Sequence, residues 1–281
     1  MTHRMRIGAA LLTAVFLLPV FALAQNENGN GGRGPACKGL PGYAKLKEAL
    51  DAAVASETSG FNLHMWATVV DRDGIVCAIA FSGTDRGAQW PGSRVISAQK
   101  ANTANSFSLD RSNASSGSGI GIGLALSTAN LYSAVQPGGS LFGLQESNPV
   151  STENAYKGPS ENFGRQNDPL VGAKIGGVNV FGGGLALYSE GKKLVGAVGL
   201  SGDTSCADHM IAWRVRYNLE LDHLLGVGGP AALFAGDPSH PDNIIFDIGP
   251  NTQGHPESTT GFGHPTCPFF ANPLTLPAVR N

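Results

Sequence analysis

The sequence predicts an α+β fold, an antiparallel sheet covered by helices. Two observations predict the sheet. β-rich runs at 63–70 and 75–81 flank Asp71-Arg72-Asp73-Gly74, and runs at 178–188 and 194–200 flank Ser189-Glu190-Gly191-Lys192. Asp-Gly between apolar runs is a strong short-range hairpin signal, and hairpins pair their strands antiparallel. A third observation, helical patterning before, between and after the hairpins, supplies the covering layer.

Taken in order, Leu46, Ala49, Leu50, Ala53 and Val54 form one apolar stripe at helical spacing and predict a helix over 43–57, ended by Gly60. The first hairpin follows. Ser93 is placed as the N-cap of a helix over 94–107, which is rich in Ala, Asn and Ser. Small residues there permit close approach of a backbone or a ligand. Gly117 to Gly123 is glycine-rich, and 124–132 reads as a short helix. Pro and Gly punctuate 136–172, so 110–175 reads as a long ordered excursion rather than a core element. After the second hairpin, Asp203, Thr204 and Ser205 are good caps for a helix over 206–225, with Asp208 in its first turn at the positive end of the dipole.

Composition narrows the class. Of 281 residues only 14% are charged and 39 are Gly, which excludes a coiled coil and most disordered chains. Residues 1–24 read as a secretory signal: Arg4 and Arg6, an apolar run to Phe21, then Ala22-Leu23-Ala24 before Gln25. The run is short for a membrane span and polar residues follow it at once. With Gln25 rather than Cys directly after the cleavage point, a lipid anchor is not expected. Without Arg4 and Arg6, 17 basic residues face 21 acidic ones. That balance excludes a generic nucleic-acid binder, which needs a basic face. The expected location is periplasmic or secreted, with no membrane association after signal removal. The expected division is 1–24 signal, 25–42 flexible segment, 43–225 domain, and 226–281 Pro/Gly-rich tail.

An exported chain with four cysteines, Cys37, Cys77, Cys206 and Cys267, is expected to hold two disulfides. None forms a Cys-x-x-Cys pair. Three connectivities exist; Cys37–Cys77 with Cys206–Cys267 would tie both ends to the body, each worth roughly 3–4 kcal/mol in the chain-entropy model.

The run Thr68-Val-Val-Asp-Arg-Asp-Gly-Ile-Val-Cys-Ala-Ile-Ala-Phe, the segment Ser97-Ala-Gln-Lys-Ala-Asn-Thr-Ala, then Phe181-Gly-Gly-Gly and Gly196-Ala-Val-Gly-Leu-Ser-Gly-Asp-Thr resemble the GlcG/HbpS-like family, also called haem-degrading or DUF336 proteins. The resemblance covers roughly 45–225. It implies a profilin-like fold, homo-oligomers, and binding of haem or another tetrapyrrole. The excursion and the C-terminal tail depart from the family's shorter pattern and leave the ligand and oligomer open.

The candidate ligand-binding residues are Arg94, Ser97, Lys100, Thr103, Asp203, Thr204 and His209. Free amides where 200–204 meets a helix start favour an anion such as a propionate. Arg94, Ser97 and Lys100 offer groups for the acids of a tetrapyrrole, and Thr103 an oxygen; Lys100 and Thr103 are singled out because the family motif includes them. His209 and His64 are the candidate metal ligands, since neutral imidazole ligates haem iron or zinc. By period two, His64, Trp66 and Thr68 share one strand face. Each residue also has a plainer role: capping for Asp203 and Thr204, a solvated helix face for Arg94 to Thr103, a solvent-facing or capping position for His209, an edge position for His64.

His-Glu-x-x-His, Gly-x-Ser-x-Gly and a Walker A motif do not occur, and Gly117-x-Gly-x-Gly-x-Gly123 misses the dinucleotide register. The leading expectation is an exported haem- or tetrapyrrole-binding protein whose partner is that small molecule. The rivals are an enzyme acting on a small organic acid or on haem, and an oligomeric structural or sensing module without a ligand.

Overall fold

A computed structural model of the chain describes residues 35–110, 123–269 and 275–281. The leader, the flexible segment up to 34 and most of the 117–123 glycine run lie outside the described residues.

Three helices and four strands make the framework: α1 (Tyr43–Ser56), β1 (Trp66–Asp71), β2 (Val76–Phe81), α2 (Ser93–Phe107), β3 (Gly184–Ser189), β4 (Lys193–Ser201) and α3 (Ser205–Asn218). The sheet order is β2-β1-β4-β3 and every pairing is antiparallel. The two hairpins therefore join through β1 and β4, with Trp66 opposite both Phe81 and Ser201. The first turn forms as its sequence suggests: the Asp71 carboxylate accepts from the Asp73 and Ile75 amides, and Gly74 takes φ 75°. That left-handed conformation suits Gly.

Helices cover both faces, which is why β1 and β2 are buried at every position. Ala67, Val69, Val198 and Leu200 face α1 and α3, packing with Leu46, Leu50, Met210 and Trp213. Trp66, Val70, Ile79 and Ala197 face α2, packing with Val95, Ala98, Ala101 and Ala104. The alanines let α2 sit very close. A Cβ at Gly199 would collide with the Ser97 carbonyl, so only Gly fits there.

Some elements differ from the sequence expectation. Gly92, not Ser93, is the cap residue of α2. The strand expected over 178–188 begins only at Gly184, because Gly183 has φ 114° and breaks the extended run. The helix expected over 124–132 is instead an isolated bridge at Leu124 and 3-10 turns at Thr128–Leu131 and Ser133–Val135, tightened by reciprocal bonds between Ser127 and Asn130. α3 ends at Asn218, and Glu220 has φ 57° beyond it.

The segments outside the framework are built into it. Ala155, Leu170 and Ile175 of the excursion join the α2-side core. Leu276 and Val279 near the C-terminus join the other. Disulfides join Cys37 to Cys77 and Cys206 to Cys267, with Cα separations of 5.5 and 5.9 Å. That is the end-to-body pairing favoured from sequence. Among the described residues, no helix is long and apolar enough to cross a membrane.

Candidate functional site

Most of the sequence-selected polar residues are bonded to other groups of the protein, and Lys100 and Asp203 are brought together. Lys100 Nζ donates to Asp208 Oδ2 at 2.7 Å and to the Leu200 carbonyl at 2.9 Å, with both side chains buried. Asp208 Oδ1 accepts from the Asp203 amide at 2.8 Å. Burial pulls the Lys100 ammonium below its ordinary range and pushes Asp208 up to about 6, each opposed by the other's charge. Lys100 and Asp203 thus meet through Asp208, in a closed joint that ties α2 to the turn before α3.

Asp203 accepts from the amides of Phe61, Leu63 and Thr204, fastening loop 60–63. Thr204 caps α3 by accepting from the Ala207 amide. Ser97 bonds Thr68 Oγ1 at 2.7 Å across the α2–β1 contact. Thr103 donates to the Gln99 carbonyl and accepts from the Asn179 amide. Arg94 makes a two-pronged pair with Asp168, at 2.9 and 2.5 Å, and lies over the Phe163 ring.

The two candidate histidines lie in different settings. His209 is fully buried, with Nε2 3.2 Å from Asn243 Oδ1. That oxygen also accepts from the Ile244 amide, so Nε2 carries the proton, and Nδ1 is a lone pair without a partner among the described residues. Burial lowers its pKa to about 4. His64 is exposed. Its Nδ1 lies 3.3 Å from Ser82 Oγ, and its ring meets Phe81 edge-on at 5.8 Å.

His64 lies beside Phe81 and Gly83, two of the residues that line a cavity of about 240 Å³. Phe81, stacked on Trp66 at 4.6 Å, and Phe163 give it aromatic surface. Lys47, Arg86 and Arg165 line it against a single acid, Glu161. Two glycines let the loops close on the aromatic stack. A Cβ on Gly164, which has φ 76°, would lie 2.7 Å from both Phe81 and Trp66 atoms, and one on Gly83 would lie 2.7 Å from Phe81 and 2.9 Å from His64. Arg86 reaches Ser160 Oγ at 3.4 Å, and Lys47 pairs with Asp51 on its own helix. The cavity therefore offers cations and aromatic surface together, which suits a flat organic anion.

A model of the family described as haem degrading protein HbpS-like matches residues 43–215. The chain belongs to the HbpS-like family. The match takes in the sheet and both layers, and every residue lining the cavity lies within it. Two solved structures are similar. One is Klebsiella pneumoniae protein ORFY, a DUF336 protein, at 24% identity, covering 63% of this chain and 86% of that one with a TM-score of 0.39. The other is a PduOC:heme complex at 19% identity, covering 62% and 89% with a TM-score of 0.39. No curated protein matches.

Sequence reasoning selected none of the residues that line this HbpS-like protein's cavity, only His64 beside it. Arg86 and Arg165 sit in loops with no periodicity to link them, and Lys47 reads as an ordinary exposed helix position. A signal did exist: Gly83 and Gly164 are loop glycines next to aromatic residues, where close approach is a plain reason for Gly. The two groups of metal-ligating atoms among the described residues, Cys206–His264–Cys267 and Cys37–Asp71–Cys77, each contain a disulfide and so lack thiolates.

Proposed function

We propose that this HbpS-like protein binds haem or a related acidic tetrapyrrole at the cavity between α1, the end of β2 and the 161–165 loop. The observation behind it is three cations and two phenylalanine rings lining one cavity, with His64 packed against Phe81, one of those rings. Arg86 and Arg165 would pair with the propionates, because guanidinium matches carboxylate in a two-pronged geometry. Phe81 and Phe163 would meet the apolar ring edge. His64 would offer Nε2 to the iron, with Nδ1 held toward Ser82. Bound haem supplies a redox-active iron; the protein's part is to orient the propionates and exclude water from one edge.

The size of the cavity favours a second reading. At about 240 Å³ it is smaller than the roughly 300–1,000 Å³ of sites for drug-sized ligands. It suits one edge of a macrocycle or the whole of a small aromatic acid, the substrate class of the enzyme alternative. Export is part of the proposal and is supported by the two disulfides, which persist in oxidising compartments.

Hemin titration with Soret detection separates the readings. A saturable shift at micromolar hemin is expected. Removing Arg86 and Arg165 together should weaken it by about 10- to 100-fold, the loss for a bond or two to a charged group, and His64→Ala should change the band. No saturable shift, alongside binding of benzoate-like acids, would support the small-acid reading.

A further inference from the structure

Ser205, the first residue of α3, lies 2.8 Å from His264 Nε2. His264 Nδ1 lies 2.7 Å from the Pro265 carbonyl. A carbonyl only accepts, so Nδ1 carries the proton and Nε2 presents its lone pair to the serine hydroxyl. Ser205 is therefore the donor, and its oxygen accepts from the Gly182 amide at 2.6 Å. That approach requires Gly, since a Cβ on Gly182 would collide with the Ser205 carbonyl. The elements of an activated nucleophile are thus assembled: a hydroxyl, a base within hydrogen-bond reach, and a third group fixing the base, with the Gly182 amide holding the hydroxyl oxygen in place. Burial keeps His264 below its ordinary pKa, so it is neutral and able to accept a proton at pH 7. His264 is 2% exposed while Ser205 is only half-buried. The neighbouring Phe181, 48% exposed, provides apolar surface beside Gly182. His264 lies outside the family match, so the pair is not a property of the matched region.

We propose that Ser205 and His264 form a nucleophile–base pair that cleaves carboxylic esters with an apolar acyl group. The Ser205 proton passes to His264 Nε2 as Oγ bonds the carbonyl carbon and its π electrons move to oxygen. Collapse breaks the ester C–O bond, and the leaving alkoxide takes the proton from His264. Water then attacks the acyl-serine, giving its proton to His264, and the carboxylic acid leaves as Oγ recovers a proton.

The test uses a fluorophosphonate probe on the disulfide-intact protein, with adducts mapped by mass spectrometry. Attack by Oγ forms the O–P bond and expels fluoride, the proton remaining with His264. One adduct is expected, on Ser205, forming at least about 10²-fold faster than on any other serine, the lower range for general-base assistance. His264→Gln should slow it by a similar factor, and Ser205→Ala should abolish it together with p-nitrophenyl butyrate hydrolysis. Should His264→Gln not fold, the ratio of Ser205 labelling to that of the chain's other serines decides alone. No adduct on Ser205, an adduct no faster than elsewhere, or an unchanged rate in a folded His264→Gln protein would overturn the proposal and leave the pair as a tie for segment 264–267.

Discussion

Lys100 and Asp208 come from helices on opposite faces of the sheet and meet at 2.7 Å, beside the Leu200 carbonyl near the C-terminal end of β4. The pair costs desolvation on both sides, and among the described residues neither charge has another counter-ion within bonding distance. Losing one partner is therefore far worse than losing both. Lys100→Met should destabilise the protein by about 3–5 kcal/mol, while Lys100→Met with Asp208→Leu should recover most of that. Urea denaturation of the single and double variants checks this. The Lys100→Met deficit should also shrink from pH 8 to pH 5, because Asp208 without its partner takes up a proton readily.

Asp208 and His209 are neighbours with opposite pH signatures. Asp208 has a raised folded pKa of about 6, so below that value the folded state binds more protons than the unfolded one. Its share of stability grows as pH falls from 6 toward 3.8. His209 is lowered to about 4 from 6.5, so its share is present above 6.5 and is lost as pH falls toward 4. Each span corresponds to about 3 kcal/mol. Wild type minus His209→Gln should therefore drop by up to that amount between pH 6.5 and 4.5, read from denaturation midpoints. A difference that stays constant with pH would contradict it.

How much the sequence reveals depends on the range of each interaction. The Asp71–Gly74 turn, the α1 stripe and the Thr204 cap are settled within a few residues, so periodicity and capping rules find them. The disulfides follow from four cysteines behind a signal-like leader sequence and from where those cysteines fall. The polar residues were legible as unusual but not as spent. Nothing near Arg94 says that Asp168, 74 residues on, will take its charge, nor that Asn243 will face His209. The cavity fails for the same reason: its cations stand on three separate segments that only the closed fold collects.

Gly164 tests the cavity wall directly. Its positive φ and the 2.7 Å approach of a Cβ to Phe81 and Trp66 mean that Gly164→Ala must push loop 161–165 outward. A loss of about 1–3 kcal/mol is expected, as for strain at a left-handed site or overpacking. Hemin affinity should fall with it, because Phe163 and Arg165 move too. Loss of stability with hemin affinity unchanged would detach this loop from the ligand site.

The disulfides should contribute separately. They close loops of 40 and 61 residues, each worth about 4 kcal/mol in the chain-entropy model. At roughly 2–4 °C per kcal/mol for a chain of this size, removing either pair as Cys→Ala should lower Tm by about 10 °C. Removing Cys206 and Cys267 also frees segment 264–267 from α3, so that variant should show faster proteolysis of the C-terminal residues than the Cys37/Cys77 variant. Equal cleavage in both would argue that other contacts hold the segment.

The C-terminal segment makes a last demand on stability through Arg216. This residue of α3 is fully buried; it bonds Asp242 at 2.6 and 2.9 Å and the Ala186 carbonyl at 3.2 Å, with its guanidinium over the Trp213 ring. Asp242 is also fully buried and lies outside the family match. Without it, Arg216 keeps its charge in a dry interior, since guanidinium does not give up its proton. A chain cut after Leu225 should therefore not fold, and Asp242→Asn should cost about 3–5 kcal/mol. Replacing Arg216 with Met in the Asp242→Leu background should restore much of the loss, because the buried charge goes with its partner. Circular dichroism melts of the three proteins decide it, and a truncated chain melting like wild type would show that α3 does not need the tail.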